Sequence, residues 1–212
     1  MSEVLNIAQL CPETYVLGPG KRFVVWAQGC PFRCVDCVAP DWIPNHPNNL
    51  ISIEDLAQRI LAVKELEGIT LSGGEPMLQA EGLAKLIRRV RRVNPDLSAI
   101  AFSGFTLAQL RRKARTERSV AELLPQLDVL IDGLYRPDLN DNLGLRGSSN
   151  QRIHFLTTRY EKRKEMFETQ PRQVEIHLLT GELLMVGVPA AGSLQAFRSV
   201  VEEGHSTSVV GA

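Results

Sequence analysis

The sequence predicts an α/β fold organised on a parallel sheet with a C-terminal β-hairpin, and three observations carry that expectation. Apolar β-branched segments alternate with amphipathic helical segments over the first two thirds of the chain. Ser72, Phe102 and Asp132 each stand at or just after the end of a strand-like segment, thirty residues apart, the length of one strand–helix–strand step. Near the C-terminus, Gln173–Leu179 and Glu182–Val186 flank Thr180-Gly181, two strands about a two-residue turn. Parallel strands joined by helices share one C-terminal edge, where such folds bind ligands.

The elements follow in order. Arg22–Ala27 is β-branched and aromatic and reads as a buried strand. Ser52 is placed as an N-cap with Asp55 three residues on, and Leu56, Ile60 and Val63 recur at helical spacing before Gly68 ends the helix. Ile69–Ser72 is a short strand broken by Gly73-Gly74. Pro76 opens a helix running to about Val93, with Leu83, Ile87 and Val90 inward, and Asn94-Pro95 ends it. Leu97–Phe102 is a strand, Thr106 caps a further helix, and Leu127–Ile131 is another strand. Gly133–Gln151 is long, polar and without periodicity, a length more typical of a functional loop. Ser193–Val201 reads as a last helix and Glu202–Ala212 as a frayed tail.

Composition removes several function classes. Lys and Arg total 24 and Asp and Glu total 24 among 212 residues, so no global charge favours nucleic acid or acidic lipid. No apolar run approaches the ~18 residues of a membrane span, and Met1–Leu10 lacks a secretory signal pattern. A cytoplasmic protein is expected, where clustered cysteines bind metal more often than they form disulfides.

Three of the four cysteines, Cys30, Cys34 and Cys37, form C-x3-C-x2-C directly after the first strand. Three thiolates on one loop can bind three corners of a cubane iron–sulfur cluster and leave one iron open to a substrate or cofactor. The spacing alone also admits a zinc site completed by Cys11 or His46, or thiols with no ligand. Gly73-Gly74-Glu75-Pro76 follows the second strand, where two glycines let the backbone approach a ligand; an isolated Gly-Gly reads rather as an ordinary strand-to-helix turn. Ser103 with Gly104 and Asp132 with Gly133 follow the third and fourth strands, with loop or capping roles as the alternatives.

These motifs together resemble the radical S-adenosylmethionine (SAM) superfamily. The resemblance implies that Cys30, Cys34 and Cys37 hold a 4Fe–4S cluster, and that Gly73, Gly74, Glu75 and Pro76 bind SAM, whose amino and carboxylate groups chelate the open iron. Ser103 and Asp132 are further candidates for SAM contact. Asp36 stands where many members carry an aromatic residue that helps hold the adenine. Gly18–Phe23 with Trp26–Pro31, Asp128–Gly133 and Arg146–Arg152 resemble the activating enzymes of glycyl radical enzymes, the last two segments the small activase of anaerobic ribonucleotide reductase. The resemblance covers roughly residues 15–158. It implies a partial TIM-like barrel, of which the sequence independently supports four or five strands, and an oxidoreductase in which a 5′-deoxyadenosyl radical abstracts hydrogen from a glycine of a partner glycyl radical enzyme. A flavodoxin or ferredoxin would supply the electron. Residues 1–158 are expected as the radical SAM core and 159–212 as an extension within the same domain. Radical SAM chemistry on a peptide or small metabolite, and a non-catalytic metal-binding docking protein, are the other readings.

The remaining residues invite plainer roles. Arg88, Arg89, Arg91 and Arg92 read as the solvated face of a helix, with docking of an acidic electron donor as the alternative. His154 and His177 fall in strands and His205 in the tail. Cys11 reads as an ordinary thiol, Trp26 as core, and Trp42 as core or as a shield over the cysteine loop.

Overall fold

Arg22–Ala27 is buried at all six positions because both of its faces are covered. The surrounding architecture was obtained as a computed structural model, which describes residues 3–179, 182–203 and 209–211. In chain order the first half comprises β1 (Val4–Thr14), β2 (Arg22–Ala27), β3 (Asn49–Ser52), α1 (Ile53–Leu61), β4 (Gly68–Gly73), α2 (Ala80–Arg91), β5 (Ser98–Ser103) and α3 (Leu107–Lys113). The second half comprises α4 (Arg118–Leu123), β6 (Val129–Asp132), β7 (Arg152–Phe155), α5 (Lys164–Glu168), β8 (Val174–Leu179), β9 (Glu182–Gly187), α6 (Ser193–Glu203) and β10 (Val209–Gly211).

Seven strands form one sheet in the order β3-β1-β2-β4-β5-β6-β7. β2, β4, β5 and β6 are parallel, and β1 and β7 run antiparallel to their neighbours. A mixed α/β protein with a mostly parallel central sheet is therefore what the strand spacing predicted. The flanking antiparallel strands β1 and β3 were not read from the sequence. Pairing aligns Ala27 with Gly73 and Ser103 with Asp132, and continuing the β4–β5 register brings Gly73 level with Ser103. The C-terminal strand ends thus share one edge.

Local signals explain the helix starts. The Ser52 hydroxyl accepts from the Asp55 amide at 3.0 Å to cap α1. Thr106 and Gln109 form a reciprocal capping box at the start of α3. Pro76 opens a short 3-10 turn, Pro76–Gln79, before α2 begins at Ala80. The expected helix therefore starts later, because the Glu75 carboxylate draws the Met77 amide into a tighter turn. The α2 arginines lie on an outer face, where Arg88 pairs with Glu122 at 3.0 Å and Arg89 with Glu54 at 2.8 Å. No helix among the described residues is long and apolar enough to cross a membrane.

Each sheet face has its own core, as expected of strands that read as continuous apolar runs. Phe23 and Val25 pack with Leu56, Leu83, Leu110 and Leu123 from the helices. Val24, Trp26, Ile100 and Val129 pack on the other face with Trp42, Tyr160, Phe167, Leu184 and Val186. The C-terminal segment supplies four of those residues, so it covers the sheet face that the helices leave bare. At the opposite edge from the strand ends, the wholly buried Arg22 bonds Thr70 Oγ1 at 2.6 Å, Ile69 O at 2.6 Å and Ser98 Oγ at 3.0 Å. The Tyr160 hydroxyl donates to Ser98 Oγ at 2.7 Å and reaches Glu67 at 2.9 Å, which ties the extension to that edge.

β8 and β9 form the expected antiparallel hairpin, and the expected Thr180-Gly181 turn lies outside the described residues. Within the expected frayed tail, Glu202 and Glu203 complete α6 and Val209–Gly211 pairs parallel to β9 instead. His205 also lies outside the described residues.

Phe167 is fully buried and Leu178 is 80% exposed. Phe167→Ala is expected to lower unfolding free energy by about 3–5 kcal/mol, and Leu178→Ala by well under 1 kcal/mol. Urea denaturation of the two variants checks whether the extension shares the core.

Candidate active site

The loop between β2 and β3 carries Cys30, Cys34 and Cys37, all free thiols of intermediate exposure. Backbone bonds pin its base: Gly29 N donates to Trp42 O and Cys30 N to Ile43 O, both at 2.9 Å. Buried Gln28 donates to Pro44 O at 2.7 Å, and its own side-chain oxygen accepts from Asn48 at 3.2 Å. Gln79 exchanges two 2.7 Å bonds with the Asn6 backbone and also donates to Gln28 O. This amide network fixes the loop to β1 and to the turn after β4. Its members were not singled out from sequence, since isolated Asn and Gln carry no spacing signal.

The Gly-Gly-Glu-Pro turn sits directly against that loop. Gly74 N donates to Ala27 O and Glu75 N to Gly29 O, each at 2.8 Å. Gly73 has φ +98°, and a methyl there would meet Ala27 N at 2.6 Å. A methyl on Gly74 would overlap the Gly29 carbonyl. Glycine is required at both positions by this backbone approach.

Glu75 is fully buried. Its Oε1 accepts from Met77 N at 3.0 Å and Ser103 Oγ at 2.9 Å, and its Oε2 from Gly104 N at 2.8 Å. Burial pushes the carboxyl up to about 7, against the pull of those hydrogen bonds and of Lys113. Ser103 thus orients Glu75, and its hydroxyl also accepts from Phe105 N at 3.1 Å. Gly104 closes the contact to the cysteine loop, since a methyl there would lie 2.5 Å from the Phe32 ring, which meets Phe105 edge-on.

Asp132 Oδ2 accepts from Leu107 N, the first residue of α3, and meets His154 Nε2 at 2.8 Å. That is the capping arrangement the sequence left open. The long loop after Asp132 is clamped by Gln151, which donates to Gly133 O at 2.7 Å and accepts from Gly147 N at 2.7 Å. Cys11 is buried in the core and donates to Glu13 O at 3.1 Å, with its thiol pushed up to about 11 by burial. His46 is exposed. Among the described residues, no three His, Cys, Asp or Glu side chains stand close enough to hold one metal ion. A cubane binds each thiolate at a different iron, which requires wider spacing than one shared ion.

Residues 16–154 match the family described as a 4Fe-4S single cluster domain. The chain is 33% identical over 162 residues to the anaerobic ribonucleoside-triphosphate reductase-activating protein of Vibrio cholerae, covering 72% of this chain and 99% of that one. It is 36% identical over 163 residues to the protein of the same name from Pasteurella multocida, with 72% and 99% covered. This chain belongs to the radical SAM activases of glycyl radical enzymes. A pyruvate formate-lyase-activating enzyme of Staphylococcus epidermidis is 36% identical over 80 residues, covering 35% of this chain and 32% of that one. The cofactors of this activase are a 4Fe–4S cluster and SAM.

The residues fit those groups. Burial pushes the Cys30 thiol up to about 11 and the Cys37 thiol above its usual range, so a thiolate at either position would need a bound cation beside it. The two glycines leave the strand edge beside the loop free of side chains. A buried donor, Trp26 Nε1, has no partner, and its ring lies 5.6 Å from that of Trp42 below the loop.

Glu75→Gln places an amide N–H against backbone donors and is expected to cost about 1–3 kcal/mol, read as a lower melting temperature of the cofactor-free protein. Gly74→Ala is expected to destabilise it further, because backbone rather than a flexible side chain blocks the methyl. Circular dichroism melts of both variants beside the parent check the order.

Proposed function

We propose that this chain activates an anaerobic ribonucleotide reductase by abstracting hydrogen from a backbone glycine of that enzyme. The observation that carries the proposal is the direct backbone contact between the Gly73-Gly74-Glu75 turn and Gly29, the residue before Cys30. Cys30, Cys34 and Cys37 are the proposed cluster ligands. Gly73, Gly74, Glu75 and Pro76 are proposed to receive the SAM amino group. Ser103 acts as a positioning residue through Glu75. Asp132 orients the start of α3 and offers Oδ1 to the ligand. When bound, the cluster and SAM supply reductive cleavage of a sulfonium carbon–sulfur bond and hydrogen abstraction.

The chain's own part is to hold both groups on one rigid edge. Gly29 O, Ala27 O and Glu75 tie the loop to the strand ends, so the cofactor geometry is set before a substrate arrives. Phe32 and Phe105 pack edge-on along one side of that edge. The reductase is favoured as target because relatives named for it match over nearly their whole length. A flavodoxin or ferredoxin is the proposed electron donor, and three free thiols in one loop suit a reducing cytoplasm.

The central sheet, bounded by β3 and β7, is read as a partial TIM-like barrel whose open side admits a protein loop. Residues 1–158 form the proposed radical SAM core, and 159–212 belong to the same domain through the shared core at Tyr160, Phe167, Leu184 and Val186.

Anaerobic reconstitution is expected to give about four irons per chain and 5′-deoxyadenosine with dithionite and SAM. Mixing with an anaerobic ribonucleoside-triphosphate reductase is expected to yield a glycyl radical by electron paramagnetic resonance. Cys34→Ala should abolish both products. 5′-Deoxyadenosine without any glycyl radical would reject the target, and product from Cys34→Ala would reject the ligand assignment.

A further inference from the structure

The cations of α2 and those of α3 are held differently. On α2, Arg88 is neutralised by Glu122, Arg89 by Glu54 and Arg91 by Asp128. The stretch from Thr106 to Thr116, which forms α3 and its exit, holds Arg111, Arg112, Lys113 and Arg115 and no carboxylate. Lys113 pairs with Glu117 at 2.6 Å. Arg111, Arg112 and Arg115 are exposed, and among the described residues their side chains have no ion pair or hydrogen bond. A helix dipole favours cations in the last turn, but Arg115 lies beyond the end of α3.

Side-chain contacts carry this patch to the cysteine loop. Lys113 Nζ lies 5.1 Å from the centre of the Phe105 ring, and that ring meets Phe32 edge-on at 4.8 Å. Phe32 stands between Cys30 and Cys34, and the next residue, Arg33, is exposed and likewise without an ion pair. In a chain of zero net charge, the guanidinium groups of Arg33, Arg111, Arg112 and Arg115 make a local positive field beside the three thiols.

We propose that α3 and Arg33 form the docking surface for an acidic redox protein that delivers one electron at the cysteine loop. The proposal rests on the cluster assignment made above. One electron leaves the donor, which is oxidised, and enters the cluster, which is reduced, and no atom is transferred. Opposite charge steers the encounter and fixes its orientation. The Phe32–Phe105 contact sets the patch against the segment that carries the cysteines, so a donor seated there stands close to the site it reduces. The arginines of α2, which the sequence offered for this role, are excluded by their carboxylate partners.

Surface plasmon resonance of an oxidised flavodoxin on the cofactor-free chain reads docking without turnover. The parent should bind, and more weakly as salt is raised. Arg111→Glu, Arg112→Glu and Arg115→Glu combined should weaken binding by about tenfold or more, and adding Arg33→Glu should weaken it further. Arg88→Gln with Arg89→Gln should stay within about twofold of the parent. In the reconstituted chain, the triple variant should lose about tenfold in 5′-deoxyadenosine formed with reduced flavodoxin and keep the yield formed with dithionite. No binding by the parent overturns the docking surface, as does unchanged affinity in a folded triple variant or an equal loss in the Arg88 and Arg89 variant. If the triple variant does not fold by circular dichroism, the corresponding glutamine variant decides by the same criteria. A parent that makes no 5′-deoxyadenosine with dithionite fails the cluster assignment instead, a result the binding series cannot produce.

Discussion

A carboxylate without solvent access organises the edge at the C-terminal strand ends of this protein. Glu75 gathers two amides and a hydroxyl, and its own amide reaches back to the Gly29 carbonyl. Four segments therefore meet at one residue: the cysteine loop, the β4 end, the start of the 3-10 turn and the β5 end. An anionic group in such a place is stable only while its donors stay in position, so burial and hydrogen bonding enforce one another. Removing a donor costs more than one hydrogen bond, because it leaves the carboxylate under-satisfied in a dry site.

The same constraint explains why glycine is concentrated here. Gly73 and Gly74 lie against backbone, not against side chains that could move aside. Close approach fixes the distance between the cysteine loop and the strand edge to within a hydrogen-bond length. Below that edge, Trp26 and Trp42 pack beneath the loop, and Tyr160 and Phe167 close the face on which they lie. The C-terminal segment thus supports the site from beneath. Its role in the core follows from the sheet face that the helices leave bare.

The site motifs were legible because each is contiguous. C-x3-C-x2-C and Gly-Gly-Glu-Pro each lie within a few residues, and the thirty-residue spacing placed Ser72, Phe102 and Asp132 at successive strand ends. Ser103 was singled out, yet its bond to Glu75 joins residues on two strands and has no local signature. The Asn6–Gln28–Gln79 network was hidden for the same reason. β1 and β3 escaped notice because Val4–Thr14 mixes polar and apolar residues at the sheet's flank, with irregular pairing that breaks strict alternation. Helix α2 begins four residues late because the neighbouring Glu75 carboxylate, which accepts from the Met77 amide, shapes a 3-10 first turn after Pro76. Asp132 was placed correctly at the edge, but its bond to α3 depends on the three-dimensional register of β6 with β5.

The most direct measurement of the central constraint is native-state hydrogen exchange of the cofactor-free chain, resolved at single amides. The Glu75-centred account predicts that Glu75, Met77 and Gly104 are protected together, near the level of the β2 and β4 amides, and that Glu75→Gln lowers protection at Met77 and Gly104 in concert. Exchange of Met77 and Gly104 at the rate of an open loop in the parent chain, with β2 and β4 still protected, would contradict it.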